Sequence, residues 1–282
     1  MPGIGYPDSV SRTSTSLRVA WVVGGHPFDR PSLEELIASL PATVDLFEWP
    51  SALSLFDAEG ARRLLAEYDV LALYDMPGIA FKRGESPGLV PPPPCVPEAW
   101  AILTEAGMPI LALHHSIASW PSWDGFAEIL KGRFHYVPAR LRGIDYPDSG
   151  YAMNVRQTFS VVSSSHPVCA GLPPRFELTD ETYQCPVFDD EVDVLITTDA
   201  PRDWTHHSSA HAAVRRTTDD TWRHEDASTA VAWTHNVLRS QVVYLQPGEG
   251  PESFRNPHYR TIISTAVRWL STTKPRDKKG VQ

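Results

Sequence analysis

The stretch "LRVAWVVGG", residues 17–25, is a valine-rich apolar run that ends in two glycines. Such a run predicts a strand buried on both faces, as in a parallel sheet, followed by a tight turn. A helix is predicted next, because Asp29 and Pro31 are start signals and apolar residues then recur three and four positions apart up to Leu40. The chain therefore begins with a strand, a turn and a helix.

The same unit repeats through the first half of the chain. Further strands are predicted at 43–48, 69–74 and 109–113, and further helices at 57–67 and 97–106. Repeated units of this kind predict a parallel sheet that is covered by helices on both faces. Between them, "GESPGLVPPPPC" (84–95) contains four consecutive prolines and predicts an extended surface loop within the domain.

The second half of the chain is richer in predicted strands. "FSVVSS", "DVLITT", "STAVAWTH" and "SQVVYLQPG" are strand candidates, and the last two predict a hairpin through residues 236–239. A final helix is capped by Asn256 and has Pro257 at its first position. We predict one domain over 17–272, with a disordered leader (1–16), a charged tail (273–282) and a polar, histidine-rich excursion at 199–228.

The composition excludes several classes of protein. The 282 residues are 42% hydrophobic and 21% charged, with a formal net charge of -9, as expected for a globular protein that does not bind nucleic acid. No apolar run approaches the roughly 20 residues of a membrane span, so we predict no membrane contact and a cytoplasmic location. The three cysteines, Cys95, Cys169 and Cys185, are too widely spaced to indicate a disulfide framework or a zinc knuckle.

Titratable side chains follow several predicted strands at their carboxyl ends, where open parallel sheets bind ligands. His26 follows the first strand, Asp75 the third, and His114 and His115 the fourth. Histidine is suited to such a place, because its ordinary pKa near 6.5 allows it to take or give a proton at neutral pH.

The turn in "ALHHSIASWPSW" (112–123) occupies the place where hydrolases and glutaminases carry a nucleophile between glycines. His114 stands at that position without flanking glycines, and Ser116 lies two residues too late. No cysteine follows a strand at such a turn. Acyl transfer through serine or cysteine, and a working glutaminase in particular, are therefore not expected.

Four separated segments carry a family resemblance. They are "VVGGHPFDR", "LALHHSIASWPSW", "HPVCAGLPPRFELTDETYQCPVFDD" and "VVYLQPGEGPESFRNPHYRTIISTAVRW". Together they resemble the ThuA-like (trehalose utilisation) family over residues 17–271. The resemblance implies a flavodoxin-like three-layer sandwich, similar to class I glutamine amidotransferases but without their nucleophilic cysteine. It also implies sugar metabolism, with trehalose, related disaccharides or their 3-keto derivatives as substrates.

The candidate catalytic residues are His114, His115 and Glu181. We expect the two histidine side chains to diverge, with His114 facing the cleft and His115 the packing below. The resemblance implies that the loop "TDETYQCPVF" lies at the opening of the same cleft, where Glu181 would pair with a histidine. Asp180 is interpreted as a turn carboxylate, and Tyr183 as a substrate contact.

The remaining substrate-binding candidates are His26, Trp120, Gln246 and Glu252. Two glycines before His26 let the backbone approach a ligand, whereas Asp29 is favoured as a helix cap. Trp120 could stack on a pyranose or belong to the core. The turn "QPGEGPESF" could bind sugar hydroxyls through its amide and carboxylates, or only lead to the Asn256 cap.

A divalent metal, zinc or manganese, is an open alternative with His114 and Glu181 as ligands from separate loops. His207 and His211 stand four residues apart, but the sequence between them lacks the H-E-x-x-H form, and a solvated loop is favoured there.

Three functions remain open from the sequence. The leading hypothesis is acid/base chemistry on a sugar, with His114 moving the proton and Glu181 as its partner. The alternatives are a non-catalytic sugar-binding or regulatory protein and a metal-dependent sugar hydrolase or isomerase. The expected partner is a small sugar. The sequence leaves open whether the chain forms a homo-oligomer.

Overall fold

The computed structural model describes residues 16–225 and 228–275, and it has the predicted α/β fold class. The predicted leader, apart from residue 16, and residues 276–282 of the predicted tail lie outside the described residues. The strands are β1 (Arg18–Gly24), β2 (Thr43–Glu48), β3 (Val70–Asp75), β4 (Ile79–Ala80), β5 (Gly88–Leu89), β6 (Ile110–Leu113), β7 (Ala139–Leu141), β8 (Ile144–Tyr146), β9 (Gly150–Val161), β10 (Arg175–Gln184), β11 (Asp193–Thr198), β12 (Ser208–Ser209), β13 (Ala230–Val237) and β14 (Ser240–Leu245).

The helix boundaries follow the predicted capping signals. Asp29 accepts the backbone N–H of Ser32 at the start of the first helix, and Asn256 accepts those of His258 and Tyr259 at the start of the last. The helices are α1 (Arg30–Ala38), α2 (Ala58–Glu67), α3 (Cys95–Ala106), α4 (Asp124–Leu130), α5 (Ala210–Arg215), α6 (Pro251–Arg255) and α7 (Pro257–Thr273).

One ten-stranded sheet forms the centre of the fold. Its first half, in the order β2-β1-β3-β6-β14, is parallel throughout. The sheet then continues through β13, β11, β9 and β10 in antiparallel pairs, with β12 beside β9. The predicted hairpin is β13 and β14. The carboxyl ends of five parallel strands thus meet along one edge of the sheet.

Alternating side chains of the strands build two apolar cores. In β3, Leu71 and Leu73 pack on one face of the sheet with α2, α3 and α4, whereas Val70 and Ala72 pack on the other with α1, α6 and α7. A central sheet with a helical layer on each face is the predicted three-layer arrangement. Among the described residues, no helix is long and apolar enough to cross a membrane.

Two expectations about loops need correction. The segment around Glu181 was expected to be a loop, but it lies in β10, which pairs with β9 over most of its length. The proline-rich segment 84–95 is not only an extended loop either, because β5 pairs with β4 and the first turn of α3 starts at Cys95.

Candidate functional site

A cavity of about 400 Å³ opens beside the carboxyl ends of the parallel strands. Its polar lining consists of the side chains of His26, His115, Glu181, Tyr183 and Glu249. Most of its other lining residues are aromatic or aliphatic. Size, position and a small set of polar groups in an apolar surround are typical of a small-molecule site.

His114 lies behind the wall of this cavity. It is fully buried, and its backbone has a φ of 49°, in the left-handed region, at the turn after β6. The Nδ1–H donates to the carbonyl of Gln246 at 2.8 Å, and the carbonyl of His114 accepts the hydroxyl of Tyr244 at 2.8 Å. The first of these bonds fixes the orientation of the ring, so that Nε2 points toward the cavity wall.

Two carboxylates meet at His114 Nε2. Glu249 Oε2 lies 2.7 Å and Glu181 Oε2 lies 3.3 Å from this nitrogen. Burial lowers the pKa of His114, but the bonds to Glu181 and Glu249 outweigh it and raise the pKa to about 10. The ring is therefore an imidazolium at neutral pH, and it offsets part of the negative charge of the pair.

The two carboxylates differ in their access to the cavity. The side chain of Glu249 is 33% exposed and that of Glu181 only 12%. Burial raises the pKa of Glu249, but the hydrogen bond from His114 brings it below its ordinary value, so this carboxylate is ionised. The Tyr183 hydroxyl lies 2.9 Å from His114 Nε2, beside both carboxylates.

Neutral imidazoles complete the polar floor of the cavity. The ring of His115 lies between His26 and Tyr74, with centroid distances of 4.8 Å and 4.4 Å. Burial, followed by the positive charge of His114 and the nearness of His26, holds the pKa of His115 well below its ordinary value. Burial likewise lowers the pKa of His26. The cavity thus places neutral and anionic proton acceptors side by side.

The turn that carries Glu249 is held from several directions. Asp180 accepts the backbone N–H groups of Gly248 at 2.7 Å and Glu249 at 3.1 Å. Tyr74 donates its hydroxyl to the carbonyl of Gly248 at 2.8 Å. Gly248 has a φ of 136°, and a Cβ there would come within 2.5 Å of the Tyr259 hydroxyl, so the turn requires glycine. Asp180 is thus a structural carboxylate, as interpreted from the sequence.

An irregularity in the sheet positions Glu181. The pairing of β9 and β10 shifts register between Asp180 and Thr182, opposite Asn154, whose φ is 55°. Bulges of this kind re-aim side chains next to functional sites. Here Glu181 lines the cavity while its neighbour Asp180 bonds the turn behind it.

One helix of the excursion predicted at 199–228 forms part of the cavity wall. Ala213 and Val214 of α5 line the cavity, and α5 is fastened by Asp148, whose Oδ2 accepts the hydroxyl of Ser209 at 2.6 Å and the N–H of His211 at 2.9 Å. His207 and His211 do not share a helix face, because α5 begins only at Ala210. Neither belongs to the cluster around His114.

Four candidate residues lie in other surroundings than the sequence analysis predicted. The two histidines are exchanged relative to the expectation, since His115 lines the cavity and His114 is enclosed behind it. Trp120 is 6% exposed, packs edge-on against Trp49 in the core and does not line the cavity. Glu252 is exposed on α6 and does not line the cavity.

Gln246 also has another role than expected. Its carbonyl orients His114, and its side-chain amide donates to the carbonyl of Glu181 at 3.3 Å. Glu249 is the carboxylate of that turn that reaches the site. Of the aromatic lining, Tyr183 was predicted from the sequence, whereas Phe134, Tyr136 and Tyr151 were not.

Comparison with known proteins gives the following matches. Residues 63–270 match the model of the ThuA family, described as trehalose utilisation. A protein of Parabacteroides merdae described as ThuA-like has a similar structure, with 12% identity, a TM-score of 0.62 and coverage of 95% of this chain and 94% of that one. One from Bacteroides uniformis, also described as ThuA-like, has 17% identity, a TM-score of 0.58 and coverage of 94% and 95%.

A third structure, a cytoplasmic protein of Salmonella typhimurium, has 13% identity and a TM-score of 0.53, and the match covers 90% of this chain and 98% of that one. At these identities the structural matches establish the fold alone. No curated protein matches the chain.

Proposed function

The chain belongs to the ThuA family of trehalose utilisation, and from this premise we propose that it is an enzyme that performs acid/base chemistry on a sugar. The substrates proposed are trehalose, a related disaccharide or a 3-keto derivative. The observation that carries the proposal is the pair Glu181 and Glu249, which share one buried histidine and face a cavity with aromatic walls.

Glu249 is the proposed proton acceptor. Its Oε2 bonds His114, which leaves Oε1 for a substrate, and its exposure in the cavity exceeds that of Glu181. In this mechanism Glu249 takes a proton from a sugar hydroxyl or from a carbon next to a carbonyl group. A positioned base of this kind contributes about 10²–10⁴-fold to a rate.

The other polar groups support this step. His114 does not reach the substrate, so its role changes from the proton carrier expected earlier to a positioning residue that orients both carboxylates and offsets their charge. Glu181, Tyr183 and His26 line the cavity within reach of a bound sugar, where they would accept or donate hydrogen bonds to its hydroxyls.

The first experiment is a substrate screen. The purified protein is incubated with trehalose, 3-keto-trehalose and related disaccharides, and products are followed by chromatography. We expect product from at least one of these sugars and none from the double variant Glu181→Gln/Glu249→Gln. Saturable sugar binding without product from any of them would contradict the proposal and support the alternative of a non-catalytic sugar-binding protein.

A second candidate is a metal-dependent sugar hydrolase or isomerase. Donor atoms of His114, Glu181 and Glu249 all lie within 4.8 Å of one another. The Nδ1–H of His114 donates to a backbone carbonyl, as is usual for histidines that bind metal through Nε2. One nitrogen and two carboxylates suit zinc or manganese, and such an ion would polarise a sugar oxygen as a Lewis acid.

Metal content separates the two candidates. Under the second one, zinc or manganese added to chelator-treated protein binds with one ion per chain and raises the melting temperature, because the ion binds the folded state. His114→Ala should abolish both effects. His211→Ala, which removes a histidine outside the cluster, should leave them intact. A wild-type protein that takes up neither ion would exclude this candidate.

A further inference from the structure

We propose that a second cavity, formed largely by residues 204–223 of the excursion, is a separate binding site for a saccharide. This inference goes beyond the proposed reaction and does not depend on it. The juxtaposition that carries it is a partly exposed tryptophan ring beside an arginine, an aspartate and hydroxyl groups around one cavity.

The second cavity has a volume of about 440 Å³ and is a neighbour of the first cavity, the one at Glu249. Tyr151 and Ala213 belong to the walls of both. His114, Glu181 and Glu249 do not line the second cavity. A ligand there would lie outside the site already described, in a space of a size typical of small-molecule sites.

A buried tryptophan forms a fixed wall of the second cavity. Trp222 is 7% exposed, and its Nε1–H donates to the carbonyl of Asp148 at 2.9 Å. A Cβ at Gly150 would lie 2.4 Å from the Trp222 ring, so only glycine allows β9 to approach the ring this closely. Ser209, another lining residue, donates its hydroxyl to the Asp148 carboxylate. Because these contacts hold the wall in place without a ligand, little ordering is needed there on binding.

Arg223 and Trp204 form another wall of the second cavity. The guanidinium carbon of Arg223 lies 3.7 Å from the centroid of the Trp204 ring. Its Nη1 donates to the carbonyls of Asp220 at 2.9 Å and Trp222 at 2.6 Å, and these bonds orient the guanidinium. Within the described part of the chain, Nε and Nη2 of Arg223 make no hydrogen bond. Both are therefore available as donors to a ligand.

The lining also offers acceptors and hydroxyls. Asp220, Ser208 and Thr218 are exposed, and among the described residues their side chains make no hydrogen bond or ion pair. Asp219 differs, because its carboxylate accepts the backbone N–H and the hydroxyl of Thr221 at 2.9 Å and 2.6 Å. A ligand therefore meets a carboxylate that only accepts, a guanidinium that only donates and hydroxyls that do both.

This set of groups favours a sugar over a charged or an apolar ligand. A phosphate would be repelled by the carboxylates of Asp219 and Asp220, and an ammonium group by the guanidinium of Arg223. An apolar ligand would remove water from these groups without giving them new partners. A pyranose can donate hydroxyls to the Asp220 carboxylate, accept bonds from the guanidinium and lay its C–H face on the exposed part of the Trp204 ring.

The test uses Trp204 as a reporter. The full chain is labelled with 5-fluorotryptophan, the Trp204 resonance is identified through Trp204→Phe, and trehalose, maltose and cellobiose are titrated in turn with fluorine NMR as the readout. Among the described residues, no tryptophan lines the first cavity, so a sugar bound there does not touch a reporter. We expect the Trp204 resonance to shift saturably with at least one of these sugars.

Asp220→Ala is the variant that tests the location. It should weaken the titration of Trp204 by at least about tenfold, because a charged acceptor of the sugar hydroxyls is lost. The fold should persist, since the Asp220 side chain is exposed. Asp190→Ala is the control, because it makes the same change at an exposed position that does not line the cavity, and it should leave the titration unchanged.

Each outcome decides the inference. A Trp204 resonance that stays in place with all three sugars would overturn it. So would a titration that is equally strong in Asp220→Ala, or one that is weakened alike in Asp190→Ala. The proposed function is decided separately by product formation, so a protein that yields product while Trp204 stays in place would keep the function and lose this inference.

Discussion

Glu249→Gln is expected to lower kcat on the sugar substrate by about 10²–10⁴-fold, the contribution of a positioned general base. The amide cannot take a proton, but its oxygen can still accept the Nε2–H of His114, now held at 2.7 Å by the carboxylate. The fold and the cavity shape should therefore persist. We expect KM to change far less than kcat, because the loss falls on the proton transfer rather than on binding.

Glu252→Gln is the matched control for this prediction. It makes the same chemical change three residues further on, at an exposed position of α6 that does not line the cavity. Steady-state kinetics of both variants, with melting curves to verify folding, are the measurement. The assignment of Glu249 would be wrong if both variants kept the kcat of the unmodified protein, or if both lost it alike.

Much of the fold could be predicted because its signals are local. The run from Leu17 to Gly25 and the capping residues Asp29 and Asn256 each specify their element through neighbours a few positions away. The edge of the sheet that carries the site also followed from the sequence, because the ends of parallel strands meet on one side.

The strand β10 was missed because several of its buried side chains are polar. Leu178, Asp180, Thr182 and Gln184 are all buried, which is the alternation of a strand, but only Leu178 among them is apolar. Their burial is possible only because groups from distant parts of the chain satisfy them. One example is the Gly248 N–H, 68 residues away along the chain, which donates to Asp180. Hydrophobic periodicity cannot reveal such a strand.

The choice between Glu249 and Glu252 depends on the same distant contacts. Both follow the last strand and both are flanked by residues typical of a turn. Contacts with distant residues direct Glu249 to the cavity: its N–H donates to Asp180, and Tyr74 donates to the neighbouring carbonyl of Gly248. Trp120 is a similar case, because its φ of 49° and its contact with Trp49 direct it into the core.

Asp180→Ala is expected to cost about 3–5 kcal/mol of unfolding free energy, the range reached when a buried hydrogen-bond network is broken. Its carboxylate accepts the N–H groups of Gly248, Glu249 and Glu181, as well as the hydroxyl of Ser253. Removing it leaves these donors without their acceptor, and hydrogen bonds to a charged group contribute about 1.5–3 kcal/mol each. Urea unfolding at neutral pH measures the loss.

Glu177→Ala provides the comparison on the same strand. Glu177 pairs with Arg156 at 2.6 Å, but both side chains are largely exposed, at 58% and 75%, so its removal should change the unfolding free energy by about 0.5 kcal/mol or less. Similar losses in both variants would show that Asp180 does not hold the turn.

At a temperature where the Asp180→Ala variant is still folded, we expect its kcat to fall as well, because Glu249 lies on the turn that Asp180 fixes. On this prediction, stability and catalysis both depend on one buried carboxylate that does not line the cavity.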